Sequence, residues 1–519
     1  MIRRLIGPFV VFLLVSLTAV VAHFFASREE AALRLSTSNL ESAKGSIRIG
    51  LDAYAGYAPI RSKDFRNRLL KNGYRLELID DQGDYAQRVE ALANGSLELA
   101  VFTVDSFVLN GLKENYPGSI IAVLSESTGS DGIVSAAPPV TDLDALKQET
   151  DLRIAYTPDS PSEHFLKAIS ADFGMQDQLT KNRSNKRPVT GSQDALKALK
   201  KGDADIAVLW EPELSKAKAD TKLNYLIGSE STPGLIVDVL VASTETLNDH
   251  PEKAEAILEA YFQQLIDYRK DRAAFIKALA DDAGTQKNVA EQIAQGIAWK
   301  GYEANAAIWL GTAQNELSAE GYRLYNSIER TVSILIETGD FSRNMLPQQD
   351  PRSLIFERPL RNIGTSKSLS RGNTSDTAAD LLSHDFSPLS PDMWQRLPKV
   401  GTLKLRPISF RSGTNELSDA GVEAITQMID SLRNYPDFRV IVSGHTNSRG
   451  DPEANRELSR TRANRVVDYI HRKFAVDADR LLAVGHGSDQ PLSRNAGESF
   501  RAHQNRLARV EFSFVRDSL

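Results

Sequence analysis

Short apolar runs alternate with amphipathic stretches along residues 46–350. The apolar runs predict buried strands at 46–50, 76–79, 97–102, 120–124, 153–156 and 206–209. The amphipathic stretches predict helices at 85–94, 162–173, 193–201, 254–268 and 289–299. Strands that alternate with helices are typical of an α/β fold with mostly parallel sheets, which is the fold class predicted for this part of the chain.

One unit of this pattern occurs twice. Residues 91–101 read ALANGSLELAV, and residues 198–208 read ALKKGDADIAV. Each copy consists of the end of a helix, a glycine suited to a left-handed helix cap, and a buried strand. Any helix–glycine–strand unit shares these features, so the repeat suggests two similar lobes without proving a duplication.

Polar and aromatic residues follow several of the predicted strands. In open α/β sheets ligands bind at the carboxyl ends of the strands, and a cleft between two lobes can close on a small solute. Each of these residues also has an ordinary alternative, such as hinge packing, a helix N-cap or a place in the core. The candidate solute-binding residues are Tyr54, Tyr57, Thr103, Asp105, Glu126, Ser160, Ser162, Trp210 and Glu211.

Residues 46–350 resemble the solute-binding proteins of nitrate, sulfonate and taurine-type ABC importers. The motifs that carry the resemblance are YAGYAP at 54–59, Thr103 with Asp105 and Ser106, LSES at 124–127, and WEP at 210–212. The resemblance implies a two-lobed periplasmic-binding-protein fold and a small-molecule solute. It leaves open which solute binds and whether an ABC permease is a partner.

No arrangement of residues indicates an enzyme. The chain has no cysteine, which excludes cysteine nucleophiles, disulfides and thiolate metal sites. A thiamine-pyrimidine synthase that resembles these binding proteins uses a cysteine-rich motif, so this chain departs from it. The 8 histidines lack metal-like spacing, and we expect neither a metal nor a cofactor. The alternative to a solute-binding protein is an envelope scaffold or sensor whose lobes have lost their solute.

A second pattern begins near residue 399. An apolar strand at 440–442 leads into a turn, after which Asp451 and Pro452 are suited to begin a helix. On that helix Asn455, Ser459 and Arg462 fall within the arc expected to be apolar. They belong either to a helix edge turned to solvent or to a small polar pocket. Helix-start N–H groups and an arginine suit a carboxylate.

With the preceding GHTN, this helix resembles the OmpA-like peptidoglycan-binding domain. The family pattern is G-H-T-D, followed by N, L-S and R-A, and the resemblance covers residues 399–519 in a βαβαββ order. In the family an aspartate and an arginine hold diaminopimelate of the peptide stem; here Arg462 is present, but Asn447 replaces the aspartate. The resemblance implies peptidoglycan binding by Thr446, Asn447, Asn455, Ser459 and Arg462.

An apolar run without Asp, Glu, Lys or Arg extends from residue 5 to 25, after Arg3 and Arg4. Its length predicts a transmembrane helix with a cytoplasmic N-terminus, and a cleaved signal peptide is the alternative. We expect residues 1–26 to anchor the chain in the inner membrane as a single span, with the bulk in the periplasm. The run has no carboxylate to carry an ion, which argues against a motor stator.

Charge and composition complete the domain prediction. The net charge is −6; residues 399–519 contain 19 basic and 15 acidic residues, a balance of +4, so the remainder carries −10. The negative net charge of the whole chain argues against nucleic-acid binding. The mildly basic C-terminal module suits an anionic polymer such as the cell wall. We expect an anchor at 1–26, a solute-binding domain at 46–350, a polar linker at 351–398 and an OmpA-like domain at 399–519.

Overall fold

The structure is a computed structural model. It describes residues 45–136, 140–149, 151–181, 185–311, 323–364, 369, 386–404, 406, 408–411 and 414–517. The predicted membrane anchor at 1–26 lies outside these residues. Within them, no helix combines the length and the apolar character that crossing a membrane requires.

Strands and helices alternate along the chain. The strands are β1 (Gly45–Leu51), β2 (Tyr74–Asp80), β3 (Leu99–Thr103), β4 (Gly118–Ser127), β5 (Asp131–Ser135), β6 (Ile154–Tyr156), β7 (Lys186–Pro188), β8 (Ile206–Trp210), β9 (Asn224–Gly228), β10 (Val237–Ser243), β11 (Ile297–Trp299), β12 (Lys399–Thr402), β13 (Arg439–His445), β14 (Leu481–Gly487) and β15 (Val510–Val515). The α-helices are α1 (Ala58–Arg61), α2 (Lys63–Lys71), α3 (Tyr85–Ala93), α4 (Val104–Gly111), α5 (Leu143–Lys147), α6 (Pro161–Phe173), α7 (Ser192–Lys201), α8 (Glu213–Lys218), α9 (Thr244–Asp249), α10 (Pro251–Lys270), α11 (Arg272–Asp282), α12 (Lys287–Gln295), α13 (Tyr302–Ala304), α14 (Arg323–Thr338), α15 (Arg358–Ile363), α16 (Pro391–Arg396), α17 (Asp419–Arg433), α18 (Pro452–Phe474) and α19 (Phe500–Leu507).

Two mixed sheets form the two lobes of the N-terminal domain. The first lobe has the strand order β11-β4-β10-β3-β1-β2, and the second has the order β7-β6-β8-β5-β9. In the first lobe β1 is parallel to β2 and β3, whereas β10 is antiparallel to β3 and β4. In the second, β6 is parallel to β7 and β8, whereas β5 is antiparallel to β8 and β9.

The prediction of mostly parallel sheets is therefore wrong, although the two-lobed α/β architecture is confirmed. The connection from β4 to β5 and the connection from β9 to β10 each carry the chain directly from one sheet to the other. Neither connection contains a helix that crosses back over the sheet it has left. Such a crossover is needed to place the next strand parallel to its neighbour. The strands on either side of these connections accordingly pair antiparallel with their neighbours.

The two lobes share a local arrangement at the sequence repeat. The glycine of each copy has a left-handed backbone, with φ of 75° in the first and 76° in the second. Arg48 donates its backbone N–H and its guanidinium to Glu98 in the first lobe. Arg153 does the same to Asp205 in the second lobe. Glu98 and Asp205 occupy the same position of the repeat, so the two lobes form the same set of hydrogen bonds although one copy has glutamate and the other aspartate.

The C-terminal domain has one sheet in the order β12-β15-β13-β14. β13 is parallel to β14 and antiparallel to β15, which is also antiparallel to β12. The short helix α19 lies between β14 and β15, so the order differs from the expected βαβαββ by one added helix. Two further short helices, α15 and α16, lie within the segment 351–398 that was expected to be a linker.

Candidate functional site

The lobes are joined by two connections, residues 128–130 and residues 229–236, which together we call the hinge. Hydrogen bonds tie the two connections to each other. Ser229 Oγ accepts the backbone N–H of Gly129 at 2.9 Å, and it also contacts the residues that flank the first connection, the hydroxyl of Ser127 at 2.7 Å and the backbone N–H of Asp131 at 3.2 Å. The hinge is therefore a polar, hydrogen-bonded junction at the base of both lobes.

Three aspartates are buried beside the hinge; we call them the aspartate cluster. Asp131 begins β5, Asp238 lies in β10, and Asp105 lies in the first turn of α4. Their exposed fractions are 5%, 1% and 4% respectively. Asp238 pairs with Thr103 across the sheet, two positions before Asp105. The strand ends thus bring carboxylates from distant parts of the chain to one buried region.

Two members of the cluster accept hydrogen bonds from hydroxyl groups. The Tyr57 hydroxyl donates to Asp238 Oδ1 at 2.8 Å, and Ser125 Oγ donates to Asp238 Oδ2 at 2.6 Å. Ser127 Oγ donates to Asp131 Oδ2 at 2.5 Å. Tyr57 is therefore placed at the cluster, with its hydroxyl already engaged by a carboxylate.

Two other predicted residues carry polar atoms that the fold leaves unused. Asp105 Oδ1 and the Tyr54 hydroxyl are buried and have no hydrogen-bond partner among the described residues. The ring of Tyr54 meets that of Tyr57 edge-on at 5.2 Å. Trp210, which is half-buried, pairs with Asp131 in the β5–β8 ladder. The structure thus brings Tyr54, Tyr57, Asp105 and Trp210 to the region around the hinge.

The remaining acidic candidates are engaged by other groups. Glu126 forms an ion pair with Lys300 at 2.7 Å and accepts the backbone N–H of Gly234 at 2.7 Å. Its pKa is lowered in spite of burial, because Lys300 stabilises the carboxylate. Glu211 accepts the backbone N–H and the hydroxyl of Ser215 at 3.2 and 2.8 Å.

The hydroxyl candidates are engaged at helix starts. Thr103 Oγ1 donates to Ser106 Oγ at 2.9 Å, at the beginning of α4. Ser160 Oγ donates to the carbonyl of Thr157 at 2.8 Å and accepts the N–H of Ser162 at 3.2 Å, which caps α6. Ser162 Oγ accepts the N–H of Thr157 at 3.4 Å. These residues shape the strand ends, in keeping with the preference of small hydroxyl residues for helix caps.

Sequence reasoning did not identify Asp131 and Asp238. Asp238 is the one charged residue in the run LIVDVLVA at 235–242, and a lone carboxylate in an apolar strand is a recognisable signal of a buried polar site. Asp131 ends the polar run SESTGSD at 125–131, which precedes a buried strand. Across the described residues, no three histidine or carboxylate side chains are arranged to hold a metal ion.

Burial raises the pKa of each member of the aspartate cluster to about 7. The charge of Asp105 adds to this effect at Asp131, and the charge of Asp131 adds to it at Asp238. The cause is the cost of removing a carboxylate from water without a matching cation. The cluster is therefore partly protonated at neutral pH when no ligand is present.

We expect Asp105→Asn to gain stability relative to wild type as pH rises from 5 to 7. The quantity compared is the free energy of unfolding of the two proteins at each pH. Over this range folded Asp105 largely keeps a proton that the unfolded chain has already released, because its pKa is raised to about 7, so wild-type stability falls by up to about 1.4 kcal/mol for each pH unit. Urea unfolding at several pH values measures the difference between the two proteins. This difference isolates Asp105 from His164, whose pKa burial lowers to about 3 and which titrates in the opposite sense.

Asp144→Asn is the matched control: burial raises the pKa of Asp144, but Lys399, Lys147 and the backbone N–H of Thr402 together outweigh it and hold that pKa at about 2. Its folded and unfolded pKa values both lie below pH 5. The control should therefore lose the same amount of stability across the whole range. A constant difference for Asp105→Asn as well would contradict the raised pKa.

A second site lies in the C-terminal domain, where the turn after β13 meets α18. Thr446 Oγ1 and Arg462 Nε are buried and have no hydrogen-bond partner in the described part of the chain. The guanidinium of Arg462 lies over the ring of Phe410, 5.0 Å from its centroid. Burial lowers the pKa of Arg462. A positioned arginine with an unused N–H donor can receive a carboxylate.

The other residues predicted at this site hold the turn. Asn447 Oδ1 accepts the backbone N–H of Arg449 at 3.1 Å, and Asn455 Nδ2 donates to the carbonyl of Arg449 at 2.9 Å. Ser459 Oγ accepts the N–H of Gly487 at 2.9 Å, which ties α18 to the end of β14. Thr446 and Arg462 therefore keep buried polar atoms without a hydrogen-bond partner among the described residues, whereas the side chains of Asn447, Asn455 and Ser459 stabilise the turn and its junction with β14.

Two family models match the chain. Residues 71–268 match the family described as NMT1/THI5 like, and residues 409–506 match the OmpA family. The first match lies within the two-lobed domain, and the second includes the turn and helix of the C-terminal site. The chain thus contains a segment that matches the first family model and, C-terminal to it, a segment that matches the second.

Curated relatives match the C-terminal domain. The chain is 32% identical over 105 residues to outer membrane porin F of Pseudomonas aeruginosa, covering 20% of this chain and 30% of that protein. It is 35% identical over 101 residues to the peptidoglycan-binding protein ArfA of Mycobacterium tuberculosis, covering 20% and 31%. The chain spans about a third of the length of these relatives.

A solved structure aligns with more than half of the chain. The periplasmic aliphatic sulphonate binding protein SsuA from Escherichia coli aligns with a TM-score of 0.45 and 16% identity. The alignment covers 60% of this chain and 99% of that one.

Proposed function

We propose that the protein binds a small solute between its two lobes and attaches non-covalently to peptidoglycan through its C-terminal domain. The observation that carries the proposal is that one chain contains two sites with unused buried polar atoms. One site lies beside the hinge of a two-lobed domain, and the other lies in an OmpA family domain. Neither site has the paired acid, base and nucleophile of a catalytic centre, and the proposal is a binding protein rather than an enzyme.

The proposed location is the cell envelope. The name of ArfA describes a peptidoglycan-binding protein, and its similarity to residues of the C-terminal domain supports wall attachment for this chain. The apolar run at 5–25 supports an inner-membrane anchor, with both domains in the periplasm. An ABC permease is a proposed partner because the first domain resembles importer binding proteins.

The proposed wall ligand is the diaminopimelate of the peptide stem. Its side-chain end presents a carboxylate and an ammonium group. Arg462 would donate to the carboxylate, while Asn447 offers the ammonium only a neutral oxygen where the family has a carboxylate. Charged hydrogen bonds are about twice as strong as neutral ones, so binding should be weaker than with aspartate by roughly 1 kcal/mol.

We expect Arg462→Ala to weaken binding to purified sacculi by about tenfold or more, because a charged hydrogen bond is worth about 1.5–3 kcal/mol. Asn447→Asp should strengthen binding several-fold, and an aspartate oxygen can still accept the N–H of Arg449. Co-sedimentation of the full-length protein with sacculi measures both effects. Arg465→Ala is the matched control, because Arg465 is exposed on the same helix and its removal changes the charge equally.

Two outcomes would contradict this assignment. Equal binding by wild type and Arg462→Ala, at unchanged stability, would show that the turn is not the wall site. Weaker binding by Asn447→Asp would show that the site receives a different stem group, such as an amidated one.

A further inference from the structure

We infer that the solute of the two-lobed domain is an organic cation, whose protonated nitrogen donates hydrogen bonds to Asp105 and Asp131 beside the hinge. This inference rests on the proposed solute-binding function and specifies its ligand class. It derives from the unused oxygen of Asp105, the position of the aspartate cluster and the charges that surround it.

The first step concerns the missing donor. Asp105 is 4% exposed, yet its Oδ1 atom receives no hydrogen bond from any described residue. A buried carboxylate oxygen without a donor costs free energy that a folded protein ordinarily avoids. A ligand that brings N–H donors would supply what the fold leaves out. The hydroxyl of Tyr54, also buried and unpartnered, offers a further contact for the same ligand.

The second step concerns the charge balance. No ion pair between described residues includes Asp105, Asp131 or Asp238. Lys167, whose positive charge acts on Asp105, and Lys300 are each paired with another carboxylate. Lys300 lies 2.7 Å from Glu126, and Lys167 lies 2.9 Å from Asp340. An anion entering this region would meet three carboxyl groups that have no paired cation, whereas a cation would supply the counter-charge that the cluster lacks.

The third step concerns the aromatic residues. Tyr54 stands edge-on to Tyr57, and Trp210 is the ladder partner of Asp131, so aromatic rings approach the cluster from both lobes. Aromatic faces attract ammonium and guanidinium groups, most strongly where water is excluded. Carboxylates beside aromatic rings therefore favour binding of an organic molecule that carries a protonated nitrogen. Closure of the lobes about the hinge would bring the two sets of groups onto one ligand.

The test is a thermal-shift series on the purified full-length protein at pH 7.5. The cationic probes are agmatine, spermidine, choline and benzamidine, and the anionic probes are ethanesulfonate, benzenesulfonate and nitrate. We expect at least one cationic probe to raise the melting temperature and no anionic probe to do so. Titration calorimetry with that probe should show affinity at least tenfold weaker for Asp105→Asn, because a charged hydrogen bond is lost.

Asp64→Asn serves as the control, since Asp64 is exposed on α2 and distant in sequence from the cluster. It should bind the cationic probe as wild type does. Stabilisation by anionic probes alone would overturn the cationic assignment and leave a solute-binding domain in place. Equal affinity of wild type and Asp105→Asn would also overturn it. No stabilisation by any probe would contradict solute binding itself, and with it the first half of the proposed function.

Discussion

Replacing Phe173 with alanine is expected to lower the free energy of unfolding by about 3–5 kcal/mol and to uncouple the C-terminal domain from the second lobe. Phe173 is the last residue of α6 and is 1% exposed. Its ring lies 5.6 Å from that of Tyr435 and 6.1 Å from that of Phe514, both in the C-terminal domain. The variant would leave a cavity at the centre of the contact between the two domains.

Polar contacts surround this aromatic cluster. Asp144 of the second lobe accepts the backbone N–H of Thr402 at 2.9 Å and its hydroxyl at 2.8 Å, and it forms an ion pair with Lys399 at 2.8 Å. Asp172 accepts the hydroxyl of Tyr435 at 2.6 Å. The second lobe and the C-terminal domain therefore share one core with a polar border, and we expect them to unfold together in the wild type.

Differential scanning calorimetry of the full-length chain tests the prediction. Wild type should show the second lobe and the C-terminal domain melting in one transition, and Phe173→Ala should resolve them into two. The control is Phe65→Ala, which removes a phenylalanine with 0% exposure from the core of the first lobe. It should be similarly destabilising without dividing that transition. An undivided transition in Phe173→Ala would contradict a shared core.

The local elements follow from the sequence because their signals are local. The period of apolar residues predicts the strand at 46–50 and the helix at 162–173, which the structure has as β1 and α6. The helix predicted at 289–299 ends early, at Gln295, because residues 297–299 pair with β4 as an edge strand. Pairing with a strand far along the chain overrides the local helical pattern.

The candidate solute site was less predictable because its contacts join residues that are far apart along the chain. Tyr57 could be identified as a strand-end aromatic, but its hydroxyl partner, Asp238, is 181 positions away. Glu126 could be identified from a motif, but its neutralisation by Lys300 depends on how α12, β11 and β4 meet. At the C-terminal site the motif placed Arg462 directly. What the motif could not give is which of its polar residues keep unused atoms.

The second large effect is expected at Arg88, a charged residue inside the first lobe. Its side chain is 0% exposed, lies 3.0 Å from Asp52, and also pairs with Asp81 and the carbonyl of Val101. Arg88→Met should lower the free energy of unfolding by about 3–5 kcal/mol, because two carboxylates then lose their buried counter-charge. Asp52 also accepts the backbone N–H of Tyr54 at 3.0 Å, so the loss should extend to the turn that carries a candidate solute residue.

Urea unfolding of matched variants shows how much of the lost stability depends on the burial of the arginine and how much on ion pairing alone. Arg153→Met removes an arginine that forms a similar pair with Asp205, at 2.8 Å, but whose side chain is 37% exposed. An exposed pair is worth about 0–1 kcal/mol, so this control should lose far less stability than Arg88→Met. The double variant Arg88→Met with Asp81→Asn should recover part of the loss, because it removes a carboxylate whose pKa burial already raises. Equal losses for the two single variants would mean that the burial of Arg88 contributes nothing beyond the ion pairs themselves.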